Sequence, residues 1–387
     1  MNSRQRFITA LNQGIPDRLP VTTHHMMDYF RNAHMQGKSN LEIFDHFGLD
    51  AIHWTAPVKP DITAGDYFDP TDPITEDPLH SRRIANNNWR FSSELIENPE
   101  YVTTRYTIST PKGKLSAILQ SNQYTSWVTE HLIKEKKDIE LVAEYCTNPV
   151  CDGEQVNKEA EAFGDKGIIR GHIPGFDIYG QPGCWQDAAV LVGIEKMIME
   201  SFDDPTWVHE LLEILFHRKA NYIKSLAGAN FDLLELGGGD ASSTVISPKI
   251  FRKFVAPYDA RLIELAHQVN QRIVYHTCGG MMPILEGIAD MNPDAMETFT
   301  PKGMGGDVNL AEAKKRIGNR VCMIGGFDQS RYFWGCTEAE TRRAVRSCFD
   351  AAGGNGGFIL SPSDHFFDAD PKLLAAFTDE AHRCLYN

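Results

Sequence analysis

"RIVYHTCGG", Arg272 to Gly280, is an apolar run that stops at a histidine and a cysteine two residues apart, with two glycines directly behind them. A short apolar run closed by turn residues reads as a buried strand. The same unit recurs as "GIIRGHI" (Gly167 to Ile173), "FDLLELG" (Phe231 to Gly237), "DAMETF" (Asp294 to Phe299), "RVCMIGG" (Arg320 to Gly326) and "GFILSPS" (Gly357 to Ser363). Segments of helical period lie between these runs. "SPKIFRKFVAPYDARLIELAHQ" starts with Ser247 as N-cap and Pro248 in the first turn, and "DPKLLAAFTDEAHRCL" does the same with Asp370 and Pro371. Strand, helix and strand in repetition imply a parallel sheet. With a further strand near "RLPVTTHH" (Arg18 to His25), the pattern predicts an α/β fold, a closed (β/α)8 TIM barrel. No G-x-G-x-x-G follows a strand, which disfavours a doubly wound sheet.

Residues 50–130 break the rhythm. "TAGDYFDPTDPITEDP" reads as loop, and "YVTTRYTIST" with "PKGKLSAILQ" reads as a hairpin turning at Pro111 to Gly113. This segment is expected to be an insertion over the barrel mouth, a lid or substrate wall within one domain spanning 1–387.

Composition narrows the function classes. A formal charge of −14 over 387 residues, with no basic run longer than "KEKK" (Lys134 to Lys137), disfavours nucleic acid and anionic membranes as partners. The opening "MNSRQRFITALNQG" carries charge where a signal peptide needs an apolar core, and no run of eighteen apolar residues occurs, so a soluble, cytoplasmic protein is expected. The eight irregularly spaced cysteines form no disulfide framework and are expected to remain thiols.

Barrel chemistry collects where strands end, and His276 and Cys278 fall there. In an extended chain residues two apart share a side, so both can reach one ion. Zinc needs three or four ligands. Glu297 ends the next strand, and Asp364 with His365 follows "FILSPS", so three strand ends offer imidazole, thiolate and carboxylate to one mouth. His24 and His25 end the expected first strand, where alternation lets only one face inward, and His172 ends "GIIRGHI". Glu235 lies in the strand before "GGGDASS". His24, His172 and Glu235 are candidate substrate-binding residues, each with a structural alternative: His172 can hold a turn before Pro174, and Glu235 can hold the glycine loop. The aromatics of "YFWG" (Tyr332 to Gly335) and Trp185 read as core.

The chain resembles the uroporphyrinogen decarboxylase superfamily, and within it the zinc-dependent, corrinoid-linked methyltransferases. The similarity runs through "RQRFITALNQGIPDRLPV", "STPKGKLSAILQSNQYTSWVTEHLIK" and "IGGFDQSRYFWGCTEAETRRAVRSCFDAAGGNGGFILSPS", with "HTCGG" its most specific element. The resemblance implies zinc bound by His276, Cys278 and Glu297. The family's later cysteine is replaced by Asp364, beside His365, which leaves the fourth ligand open between them. It also places Asp240 facing the pocket, so Asp240 and His365 are candidate catalytic residues.

Replacing a thiolate by oxygen or nitrogen makes zinc a harder Lewis acid, suited to polarising an oxygen. The implied reaction moves a methyl group from a small oxygenated donor, such as a methoxylated aromatic, to the cobalt of a corrinoid held by a partner protein. Three rivals remain: a decarboxylase, for which "THHMMDYF" lacks the arginines that would hold substrate carboxylates, a non-catalytic metal- or corrinoid-binding barrel, and a zinc-free transfer from methyl-cobalt to tetrahydrofolate.

Overall fold

The computed structural model describes residues 1–75 and 80–386. Its centre is a seven-stranded parallel sheet of β1 (Ala51–Trp54), β2 (Gly167–His172), β3 (Leu233–Gly237), β4 (Ile273–His276), β5 (Ala295–Thr298), β6 (Cys322–Phe327) and β7 (Phe358–Pro362), paired in that order. Each strand is short and buried along its length, and side chains such as Ile168, Leu234, Val274, Ala295, Met323 and Ile359 are almost fully removed from water. Strands covered on both faces need apolar side chains on both, which explains the unbroken apolar runs.

The segment "RLPVTTHH" does not form a full strand. Leu360 N–H donates to Pro20 O (2.9 Å), Thr22 N–H donates to Leu360 O (2.9 Å), and Asp50 N–H donates to Val21 O (2.7 Å). Residues 20–22 thus join β7 to the start of β1, and the sheet curls as a TIM-like barrel with seven regular strands and one three-residue stave. Pro20 has no N–H to give, which keeps this stave short.

Two expectations about the boundaries are corrected. β1 is a strand of the parallel sheet, so the interruption begins after Trp54, not at residue 50. Four residues carry too little period to stand out beside a Pro-rich stretch. The helix starting at Ser247 and Pro248 is also not continuous: it widens into a π-turn over Phe251–Val255 before Ala256–Gln268. Pro257 lacks the N–H that an unbroken ladder requires. The helix of Pro371–Arg383 is regular and capped by Asp370, as its sequence predicts.

Between β1 and β2 the chain forms a four-stranded antiparallel sheet of Arg90–Ile96, Val102–Thr110, Gly113–Ser121 and Ser126–Glu130, with the predicted hairpin at its centre. Residues 76–78 of the Pro- and Asp-rich stretch lie outside the described residues. This sheet rests on loops that follow the barrel strands. Trp89 Nε1 donates to Asp177 Oδ2 (3.2 Å), Tyr179 OH donates to Ser126 O (3.1 Å), and the Tyr124 ring packs on Tyr29 and Phe367.

Trp185 and Phe333 are core residues, whereas Trp334 is 46% exposed, contrary to the core reading of "YFWG". All eight cysteines are free. No helix among the described residues is long and apolar enough to cross a membrane.

Candidate functional site

Four strands deliver charged side chains to the barrel's C-terminal mouth: Arg170 from β2, Glu235 from β3, His276 from β4 and Glu297 from β5. The ladder registers Gly237 with His276 and His276 with Glu297, while His172 lies opposite Glu235. Alternation along each strand turns these residues to the interior. Arg170, 2% exposed, is the hub. Its Nη2 donates to Glu235 Oε2 at 2.9 Å and also to Glu297 Oε1. Its guanidinium lies 4.5 Å from the centre of the Trp54 ring. His276 Nδ1 is 2.9 Å from Glu297 Oε1, and His24 Nε2 is 2.7 Å from Glu235 Oε2.

Buried charges persist only when paired, and the titration behaviour reflects this pairing. Burial would raise the Glu297 carboxyl, but Arg170 and the hydrogen bond from His276 outweigh it and hold the group down to about 2. Glu235 is lowered against the same burial by His276 and Arg170. His276 is raised well above the ordinary imidazole value because Glu235, Cys278 and Glu297 together overcome desolvation. His24 and His25 are lowered well below it, chiefly by burial.

Backbone strain sits at the same place. Thr298, directly after Glu297, holds φ at 84°, a costly conformation for a β-branched residue, and its hydroxyl donates to Thr277 O at 2.5 Å.

Beyond the three-residue stave the chain bends, and His24 and His25 both turn toward the mouth, contrary to the alternation expected of a continuing strand. Their Nδ1 atoms are 2.9 Å apart. The His365 ring, from the loop after β7, packs on both, with centroids 4.5 Å from His24 and 4.3 Å from His25. Trp54 Nε1 donates to His24 O at 2.6 Å and fixes the bend.

Two sets of potential metal-ligand atoms therefore converge among the described residues, each within 4.8 Å: His24, Glu235, His276 and Glu297, and His24, His25 and His365. A small cavity lined by His24, Arg170, His276, Glu297 and Asp364 opens onto them. A second cavity, lined in part by His80, Arg82, His172 and Tyr179, lies between the segment 80–84 and the loop after β2.

The model of the family described as uroporphyrinogen decarboxylase (URO-D) matches residues 178–384, more than half of the chain. The chain belongs to the uroporphyrinogen decarboxylase family.

Among curated relatives, the uroporphyrinogen decarboxylase of Cupriavidus pinatubonensis is 28% identical over 188 residues, covering 46% of this chain and 48% of the relative. That of Thioalkalivibrio sulfidiphilus is 27% identical over 229 residues, covering 56% and 61%. The methylcobamide:CoM methyltransferase MtaA of Methanosarcina barkeri is 26% identical over 148 residues, covering 38% and 41%. The chain spans about half the length of the curated relatives it matches. Among solved structures, a methyltransferase from Methanosarcina mazei shares the fold, with TM-score 0.58 and 15% identity over 99% of both chains.

Of the set that the resemblance to zinc-dependent members of this family implies, the structure brings His276 and Glu297 together. Cys278 is a hydrogen-bond partner of His276 but belongs to neither converging set. Asp364 lines the small cavity, where its Oδ1 accepts from its neighbour His365 N–H at 2.7 Å, and it too stands outside both sets. Asp240 lies in the turn after β3, its carboxyl raised by burial and its charge acting on Tyr179 of the second cavity. His172 lines that second cavity and acts electrostatically on Glu235.

Sequence reading missed Arg170 and Trp54, and it allowed only one of His24 and His25 to face inward. Arg170 had a visible signal: a guanidinium inside "GIIRGHI" must be buried with that strand, and a buried guanidinium requires carboxylates.

Proposed function

We propose that the chain is a methyltransferase that moves a methyl group from an oxygenated small molecule to the cobalt of a corrinoid carried by a partner protein. One observation carries this reading: ligand-capable atoms of histidines and carboxylates that are far apart in the sequence converge at the mouth, in two sets that share His24 and each lie within 4.8 Å. Imidazole and carboxylate are harder donors than thiolate and suit a cation that polarises oxygen. His24 belongs to both converging sets and is the residue we assign to zinc in either. When bound, zinc supplies Lewis acidity to the oxygen that loses its methyl group.

The chain's own residues have the remaining tasks. The C–O bond breaks with its electron pair left on oxygen, the cobalt–carbon bond forms from the electron pair of reduced cobalt, and the freed oxygen requires a proton. Asp240, kept protonated more readily than an exposed carboxyl, is assigned as the acid that supplies it. His172, Tyr179 and Arg82 line the second cavity, which we assign to the donor. The Arg170 network holds His24 and His276 in position by fixing the carboxylates that they touch.

The family relatives named uroporphyrinogen decarboxylase give decarboxylation as the second reading. Against it, Arg170 is already engaged by two carboxylates and has little left for those of a substrate. The test mixes zinc-loaded protein, methoxylated aromatics and a reduced corrinoid protein, and follows methyl-cobalt absorption. Its growth supports the proposal. No methyl-cobalt from any donor, with carbon dioxide released from a porphyrinogen, replaces it with the decarboxylase reading.

A further inference from the structure

We infer that the metal site of this chain is the imidazole trio His24, His25 and His365, and that the Glu235, Arg170, Glu297 and His276 network supports it without binding the ion. The inference rests on the proposed function only for the identity of the ion, zinc; the ligand set is argued from geometry.

The three rings are mutually inclined, at 59° for His24 and His25, 87° for His24 and His365 and 55° for His25 and His365, so they converge rather than stack. Their ligand atoms lie within 4.8 Å of one another. Tetrahedral zinc with bonds of about 2.05 Å places its nitrogen ligands about 3.3 Å apart. The 2.9 Å between the Nδ1 atoms of His24 and His25 is a few tenths of an ångström from that spacing.

His365 Nδ1 supplies the independent sign. It is buried and has no hydrogen-bond partner among the described residues, although a buried polar atom left unpaired is costly. Behind the trio, Glu235 accepts from His24 Nε2 at 2.7 Å, the carboxylate–histidine arrangement that orients a metal-bound imidazole. Arg170 in turn holds Glu235, and Trp54 holds the His24 backbone.

The competing set fits a cation less well. Arg170 bonds both of its carboxylates, and His276 bonds Glu297, so an ion there would face a guanidinium attached to the oxygens meant to bind it. The trio has no such cation on its nitrogens. Three protein ligands leave a fourth position open, the pattern of catalytic rather than structural zinc, and suit a donor oxygen.

The test measures metal content and the visible spectrum of the cobalt(II)-substituted full chain. The expected wild-type result is one ion per chain, a tetrahedral cobalt spectrum and no thiolate-to-cobalt charge-transfer band. His25→Ala and His365→Ala should each weaken zinc binding at least tenfold, with near-ultraviolet circular dichroism preserved. His365→Asn gives a milder test of the same ligand, and Cys278→Ser should retain the ion. A thiolate band in the wild type, loss of the ion in Cys278→Ser, retention in both alanine variants, or no zinc uptake at all would overturn the assignment. Zinc bound as described without methyl transfer would overturn the proposed function and leave this inference standing.

Discussion

Arg170 is where the mouth is most exposed to a single substitution. Its guanidinium neutralises two buried carboxylates that would otherwise face each other across β3 to β5. Arg170→Met should cost about 3–5 kcal/mol, because removing one partner of a buried ion pair strands the other charge. Urea unfolding checks this, and adding Glu297→Gln should recover part of the loss, since it removes one stranded charge; a double variant no more stable than Arg170→Met would contradict the account. The same pairing has a pH signature. Glu297 is held down to about 2, below its unfolded value of about 4.3, so its contribution is present above that value and disappears as pH falls through about 2. The stability gap between wild type and Glu297→Gln should therefore shrink on acidification from pH 5 to pH 2.5, and a gap constant over that range would rule out the charge as its cause.

Where β4 meets the helix of Ala256–Gln268, a second buried carboxylate behaves in the opposite sense. Asp259 accepts from Tyr275 OH (2.9 Å) and Cys184 N–H (3.2 Å), has no ion pair among the described residues, and is pushed up to about 6 by burial. A carboxyl raised on folding stabilises fully below its unfolded pKa of about 3.9, and that contribution is lost as pH rises through about 6. Asp259→Asn keeps an acceptor for Cys184 and a partner for Tyr275 while removing the charge. It should be more stable than wild type at pH 7.5 by about 1–3 kcal/mol and lose most of that advantage at pH 4.5, read from thermal melts at both values. An advantage independent of pH would point to packing instead. These strands were also the most legible elements in the sequence. Six apolar runs ending in polar or glycine residues match β2 to β7, because strands buried on both faces have to be apolar throughout. β1 was hidden because four residues are too few for a period to emerge, and Trp54, which ends it, was hidden with it. The strand expected over Arg18 to His25 is paired only at 20–22, and the bend that follows, which turns His25 inward beside His24, has no local signal. Convergence of His24 and His365 depends on barrel closure, which local sequence does not encode.

Closure has its own fastener on the far side of the barrel. Asp50, 1% exposed, accepts from Arg6 Nη1 (2.6 Å), Arg18 Nη1 (3.0 Å) and Nη2 (3.1 Å), Ser3 Oγ (2.7 Å) and Val21 N–H (2.9 Å). One carboxylate thus ties the N-terminal helix of Ser3–Leu11, the short stave and the entry to β1 together at the seam. Asp50→Asn leaves both arginines without their shared anion and supplies an amide donor where only acceptors fit, so a loss of about 3–5 kcal/mol is expected. The consequence should extend along the stave, because His24 and His25 follow Val21 by three and four residues and their placement depends on it. Hydrogen exchange of Thr22 N–H and Asp50 N–H should accelerate, and zinc affinity should fall although Asp50 touches neither candidate ligand set. Asp232, joined to Arg4 by two bonds of 2.5 and 2.6 Å, links the same helix to the start of β3 and provides the comparison. Asp232→Asn should destabilise the protein while leaving zinc affinity near wild type, since it loosens the helix but not the stave. Equal losses of zinc affinity in both variants would mean that general destabilisation, rather than the seam, positions the two histidines.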